Sequence, residues 1–275
     1  MATRLSFDKG CFYPCIPDEA KAQRFAAQRF AKPLPMGKIN FTREGVDGMA
    51  LLKKLLALRD PRRAVRESLH RQAIERARLD PMQNAKAGSR ELAGMVAEQL
   101  QARGDNRPAS LLSALGALAG FACQVSARNN AFAHGMPQRD SLSEDLGLLL
   151  FGMEFSVWSL VAGAARHNGC TQFVEPAEIW AHVGKSIGTP EFGVPRLPPE
   201  HAAGELPAEY LQLFWPMVKP VIARYCSNPA HWPVMCALAL QQAIELGPGK
   251  LEAGMAMRVA LESALPMARI HADFS

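Results

Sequence analysis

The sequence predicts an all-α protein, and three observations support this. Prolines stand where helices begin. The segments between them are rich in Ala, Leu, Met, Glu, Gln and Arg, which lose little side-chain freedom in a helix. Alternating runs of β-branched residues bounded by turn residues, the usual pattern of strands, are absent. The chain has 275 residues, of which 48% are hydrophobic, so it can bury a core; these values exclude a disordered chain and a disulfide scaffold.

Helix starts define the elements. Four pairs place a proline at the first helical position, where its missing N–H costs nothing: Asp60-Pro61, Glu175-Pro176, Leu206-Pro207 and Asn228-Pro229. Ser141 and Glu144 have the spacing of a capping box. These signals and the intervening composition predict about ten helices in one domain, with 103–108 as the alternative boundary. The predicted helices are 17–32, 47–59, 61–80, 87–103, 108–129, 143–167, 176–187, 207–226, 229–246 and 249–270.

The first four predicted helices are basic. Residues 1–108 hold 21 Lys and Arg against 12 Asp and Glu, whereas the rest of the chain holds 10 against 14. The densest basic patch consists of Lys53, Lys54, Arg59, Arg62, Arg63 and Arg66. This patch is a candidate site for an anionic partner, such as nucleic acid or an acidic protein surface. No aromatic residue occurs between Thr42 and Gly120 to stack on bases, so we regard a solvated helical face as the better interpretation.

The next two helices carry almost no charge. Residues 108–127 contain no charged side chain, and residues 146–165 contain only Glu154. Each stretch is long enough to cross a bilayer, but helices buried on all sides in a large bundle have the same composition. We therefore expect a soluble protein built around helices 108–129 and 143–167, with no contact to a membrane.

The segment 188–206 after helix 176–187 contains four prolines and three glycines. It is long for a connection inside a compact domain, and such segments are often functional. Two interpretations stay open: a lid over a binding site, or an ordered strap that crosses the helical surface. The last helix carries Ala253, Ala256, Ala260, Ala264 and Met267 at offsets of three and four. This flat face predicts close packing against another helix.

The four tryptophans all lie between residues 158 and 232. Together with nearby polar residues they form a candidate pocket for a small apolar ligand, although such aromatic clusters are more often core. The candidate residues are Glu154, Trp158, Trp180, His182 and Trp215. On the predicted helix 143–167, Glu154 shares a face with Leu150 and Val157, where burial would raise its pKa unless the carboxylate is paired. A paired glutamate or one at the helix edge is the favoured interpretation.

Motifs for catalysis and metal binding are weak. Glu175, Glu178 and His182 can share a helix face, but acidic residues in a first turn also complement the helix dipole. The six cysteines lack zinc-site spacing, so we expect reduced, mostly buried thiols and neither metal nor cofactor. Phosphate-binding glycine motifs and a nucleophile elbow are also absent from the sequence.

The sequence therefore predicts no specific activity, and whether the chain is an enzyme stays open. The leading interpretation is a non-catalytic interaction or scaffold protein that binds a protein partner or a second copy of itself. The alternatives are a small apolar-ligand binder or enzyme with the aromatic pocket, and nucleic-acid binding through the basic patch, which we do not favour. The first residues do not have the layout of a signal peptide, so a cytoplasmic location is expected.

Overall fold

The computed structural model describes residues 6–7, 81–133, 140–189, 191–246 and 251–271. The chain divides into two compact units, Met1–Ala22 with Ala85–Ser275, and Gln23–Asn84. The architecture below is that of the first unit, which also contains the alternative boundary 103–108. The single-domain interpretation stays a prediction, because almost all of the second unit lies outside the described residues. The predicted helices 17–32, 47–59 and 61–80 also lie outside the described residues.

The described residues confirm the all-α class. The α-helices are α1 (Pro81–Ala102), α2 (Pro108–Ala133), α3 (Asp140–Gly147), α4 (Val157–His167), α5 (Pro176–Ser186), α6 (Pro207–Tyr225), α7 (Trp232–Glu245) and α8 (Ala253–Met267). Short 3-10 turns cover Pro199–His201 and Pro229–His231. Within the described ranges, extended pairing is limited to Ser6–Phe7, β1, which runs antiparallel to Ile270–His271, β2.

Proline begins several of these helices, as predicted. Helices α5 and α6 start at Pro176 and Pro207. At the start of α6, the Glu209 carboxylate accepts a hydrogen bond of 2.8 Å from the Leu206 N–H. Asn228 Oδ1 accepts one of 3.0 Å from the Ala230 N–H before α7. These bonds satisfy N–H groups that have no partner inside the helix.

The predicted helix 143–167 is not continuous. Helix α3 ends at Gly147, a π-helical turn covers Leu148–Gly152, and α4 begins only at Val157. Ser156 caps α4, since its Oγ accepts a hydrogen bond of 3.2 Å from the Ser159 N–H. The residues between Met153 and Ser156 form a turn. Residues before and after this break therefore do not share the helical face that a continuous helix would give them.

Helix α2 has the central position that its composition predicts. Every residue from Leu112 to Gln124 is buried. Its most extensive partners are α8 and α7, so α8 takes the second central place that the sequence assigned to 143–167. The small-residue face of α8 explains this. A Cβ added to Gly116 or Gly120 would lie 2.4 or 1.9 Å from the carbonyl oxygens of Ala260 and Ala264.

The strap, residues 191–206, crosses the surface of the unit and is held at both ends. Near its start, the Arg196 backbone N–H donates to Glu262 Oε2 at 2.7 Å, and Arg196 Nε donates to Oε1 at 2.7 Å. Near its end, the Gly204 N–H donates to Ser110 Oγ at 2.9 Å. These contacts favour an ordered strap over a lid.

Candidate functional site

A groove of about 1200 Å³ lies between α1, α2 and the N-terminal end of α8. One face of α1 forms its first wall, with lining residues at helical spacing from Arg90 to Gln101. This face is shallow, because Ala93, Gly94 and Ala97 occupy its middle. The other lining side chains from the long helices are mostly apolar: Leu111, Leu112, Ile244, Met255 and Ala256.

A polar cluster around Asp105 closes one end of the groove. Arg107 donates to the Asp105 carboxylate through Nε and Nη2, at 2.9 and 3.1 Å, and the Tyr210 hydroxyl donates at 3.2 Å. Burial alone would raise the pKa of Asp105. Hydrogen bonds from Arg107 and Ser110 outweigh it and lower this pKa from 3.8 to about 2. Asp105 is therefore a carboxylate at neutral pH. Its donor Tyr210 on α6 also accepts hydrogen bonds of 3.1 Å from the Gly204 and Glu205 N–H groups at the end of the strap.

The N-terminal end of α8 contributes a second polar edge. The Glu252 carboxylate accepts hydrogen bonds of 2.8 and 2.9 Å from the N–H groups of Gly254 and Met255. Cys170 also lines the groove, and its thiol donates to the Gln172 carbonyl at 3.1 Å. Asn168 Nδ2 donates to the Ile244 carbonyl at 2.9 Å. Most of the polar side chains that line the groove therefore already have intramolecular partners.

The residues predicted to form a pocket have other surroundings. Glu154 is exposed in the turn before α4, so it is not the buried carboxylate that a continuous helix would produce. Trp158 Nε1 donates to the Val174 carbonyl at 3.0 Å. Trp215 is 2% exposed and packs edge-on against Phe121, with ring centroids 4.7 Å apart. Trp158 and Trp215 thus show the packing and the satisfied indole of a core.

Trp180 and His182 lie on α5, and His182 contacts the strap. The Arg269 guanidinium lies 4.5 Å from the centre of the Trp180 ring. His182 Nε2 lies 3.3 Å from the Val194 carbonyl oxygen and 3.7 Å from Glu262 Oε2. None of the five predicted pocket residues lines the groove. A ligand role for them stays a prediction.

The sequence pattern does not indicate the ion-pair network at the strap, in which Glu262 is buried and its partners are partly exposed. Glu262 on α8 has a fully buried side chain and pairs with Arg196. Arg196 also lies 3.1 Å from the Glu178 carboxylate, which in turn lies 3.4 Å from Arg258. Glu178 and His182 therefore do lie on one face of α5, as predicted. That face packs against the strap, where Glu178 pairs with Arg196. The strap that covers Glu262 is distant in sequence, so the spacing of residues along α8 does not indicate this pairing.

The candidate anion-binding residues Lys53, Lys54, Arg59, Arg62, Arg63 and Arg66 lie outside the described residues, so nucleic-acid binding remains untested. Cys123, Cys170, Cys226 and Cys236 are buried and unbridged, as predicted for thiols. Burial raises the pKa of the Cys226 thiol to about 11. Within the described ranges, no group of three His, Cys, Asp or Glu side chains could hold a metal ion.

Two segments of the described chain are long and apolar enough to cross a membrane by length and composition. In Pro108–Asn130, 89% of the apolar window is buried inside the protein, the pattern of a core helix. In Glu144–His167 the share is 39%. The cytoplasmic location stays a prediction.

No protein family model, no curated protein and no solved structure matches this chain. A functional proposal therefore depends on the chemistry of the groove itself.

Proposed function

We propose that this protein binds a small, largely apolar molecule in the groove between α1, α2 and α8. The observation that carries the proposal is the groove's size together with its lining. Its volume of about 1200 Å³ is slightly above that of ordinary small-ligand sites, roughly 300–1,000 Å³. Its walls are mainly small and branched apolar side chains with a smaller number of polar groups, and small-ligand sites are likewise predominantly apolar with a few polar groups.

The shape of the α1 wall supports an elongated ligand. A Cβ added to Gly94 would meet no atom within 4 Å, so the space above this part of the helix is open. Ala93 and Ala97 flank it and are half-buried. Apolar surface that is left partly exposed along a concave wall favours binding, because covering it removes that surface from water.

A groove-filling substitution tests the proposal. The uncharged fluorescent probe N-phenyl-1-naphthylamine should bind the wild-type protein saturably. In Ala97→Trp the indole occupies the groove, so the dissociation constant should rise about tenfold or more, the loss expected from displaced apolar contact. Ala87→Trp is the matched control, because Ala87 is exposed on the same helix and does not line the groove. Equal probe binding by Ala97→Trp and the wild type would contradict the proposal, provided that far-UV circular dichroism shows both folded.

A second candidate function is association with a protein partner or a second copy, as the sequence analysis favoured. The outer face of α6 supports it. Leu206 and Leu213 are 40% and 37% exposed, and the exposed residues Pro216 and Pro220 extend this apolar stripe along the helix. Light scattering should then show an assembly that Leu213→Lys dissociates. A wild type that stays monomeric at high concentration, with no partner recovered from its host, would count against it.

A further inference from the structure

We infer that the groove takes a single-chain amphiphile of about twelve to fourteen carbons, with its anionic head group at Arg90. This inference depends on the proposed function, since it names the chemical class of the molecule bound there. Three features of the groove carry it: its length, its open apolar middle and the arrangement of charge along it.

The length follows from α1. The lining residues of this helix run from Arg90 to Gln101, which spans about 17 Å at 1.5 Å per residue. An extended hydrocarbon chain advances roughly 1.25 Å per carbon, given bond lengths near 1.5 Å at tetrahedral angles. A chain of about a dozen carbons therefore matches the wall. The small side chains in the middle leave room for such a chain and provide no polar group to pair with it.

The charge arrangement selects the head group. Besides Arg90, three Asp, Glu or Arg side chains are among the described groove residues, namely Asp105, Arg107 and Glu252, and each already has a partner within the protein. Arg107 pairs with Asp105, and Glu252 accepts two N–H groups of α8. Arg90 is exposed at the groove edge and forms no ion pair with a described acidic residue. A guanidinium binds a carboxylate or phosphate with two parallel hydrogen bonds, so an anionic head fits this end.

The opposite end of the groove determines the orientation. Asp105 is ionised at neutral pH and its bidentate partner Arg107 is already engaged. An anion there would face an existing carboxylate and would have to compete with it for the guanidinium. The head group therefore belongs at Arg90, and the end of the hydrocarbon chain lies toward Leu100 and Pro108.

Displacement of N-phenyl-1-naphthylamine by two amphiphiles of equal length tests the inference. Dodecanoate, used below its critical micelle concentration, should displace the probe from the wild type at about tenfold lower concentration than dodecan-1-ol, as expected for one charge-assisted contact. Arg90→Gln should abolish this preference, so that dodecanoate and dodecan-1-ol displace the probe at similar concentrations. Arg103→Gln is the matched control, because Arg103 is exposed just after α1 and does not line the groove; it should keep the preference.

The outcomes separate the two proposals. If both amphiphiles displace the probe equally, or if Arg90→Gln keeps the preference for dodecanoate, the head-group inference is wrong while binding in the groove stands. Stronger displacement by dodecyltrimethylammonium than by dodecanoate would also overturn it, because the site would then prefer a cation. If the probe does not bind, or Ala97→Trp does not weaken it, the groove is not a ligand site and both proposals fail.

Discussion

The substitution Gly120→Ala tests whether α2 and α8 are in backbone contact. The added methyl group would lie 1.9 Å from the Ala264 carbonyl oxygen, 2.7 Å from its carbonyl carbon and 2.9 Å from its Cα. All three atoms belong to the backbone of a helix, so none can rotate away as the end of a flexible side chain would. Restoring a contact of 3.0 Å requires the two helices to separate locally by about 1 Å.

The magnitude is a balance of two effects. Forcing an extra methyl group into a packed core costs about 1–3 kcal/mol, and a backbone partner places this site at the upper end. Separation of the helices also weakens neighbouring dispersion contacts. Against this, alanine is about 1 kcal/mol more favourable than glycine inside a helix. We expect a net loss of about 2 kcal/mol in the free energy of unfolding, which corresponds to a melting temperature roughly 4–8 °C lower.

Urea and thermal denaturation followed by circular dichroism at 222 nm measure this loss. Gly163→Ala is the matched control: Gly163 is exposed on α4, and an added Cβ there meets no atom within 4 Å. That variant should gain up to about 1 kcal/mol from helix propensity alone. The two substitutions should therefore have opposite effects. A Gly120→Ala variant as stable as the wild type would refute the close packing of α2 against α8.

Three further predictions concern charge and burial. Stabilisation of Asp105 as a carboxylate contributes about 2 kcal/mol to the free energy of unfolding. This contribution is fully present above the unfolded pKa of 3.8 and disappears as the pH falls through about 2. Acid titration of the free energy of unfolding should show this slope, and Asp105→Asn should flatten it. Arg196→Leu removes the guanidinium partner of the buried Glu262 and should cost about 3 kcal/mol in urea denaturation. The control Arg258→Leu breaks the more exposed pair with Glu178 and should lower the free energy of unfolding by less than about 1 kcal/mol. Equal losses in the two variants would contradict a larger contribution from the Arg196–Glu262 pair. The buried Cys226 thiol, with its pKa raised to about 11, should resist alkylation at pH 8 until the protein is unfolded, as read by peptide mass mapping; rapid native labelling would contradict its burial.

Local signals predicted the helices well. The prolines at 176 and 207 begin α5 and α6, and the small-residue face of the last helix does make a close approach, because both patterns depend on neighbours within a few residues. The break at Met153–Ser156 was missed. Apolar composition continues through it, and a π-helical turn followed by a serine cap leaves little trace in hydrophobicity.

The candidate site was harder to predict. The tryptophans were predicted to line a pocket because they are large and partly polar. Large apolar side chains are also the ones that a core buries, and Trp215 lies in the core. The apolar part of the groove is instead formed mainly by alanine, glycine and leucine, which carry no distinctive chemical signal. Asp105 lies in the loop after α1 and meets its hydrogen-bond donor Tyr210, 105 residues later in the chain, only in the folded protein. Only the spacing of Ala93, Gly94 and Ala97 on one helix face could have indicated a shallow wall.

The amino-acid sequence alone determined the helical class, the places where most described helices begin and the small-residue face of α8. These depend on backbone propensity and on spacing along one helix. The tertiary structure alone decided which helix is central beside α2, that Glu262 is buried, and where a groove lies. Each of those properties joins residues far apart in the chain, such as Arg196 with Glu262, and their proximity arises only when the helices pack.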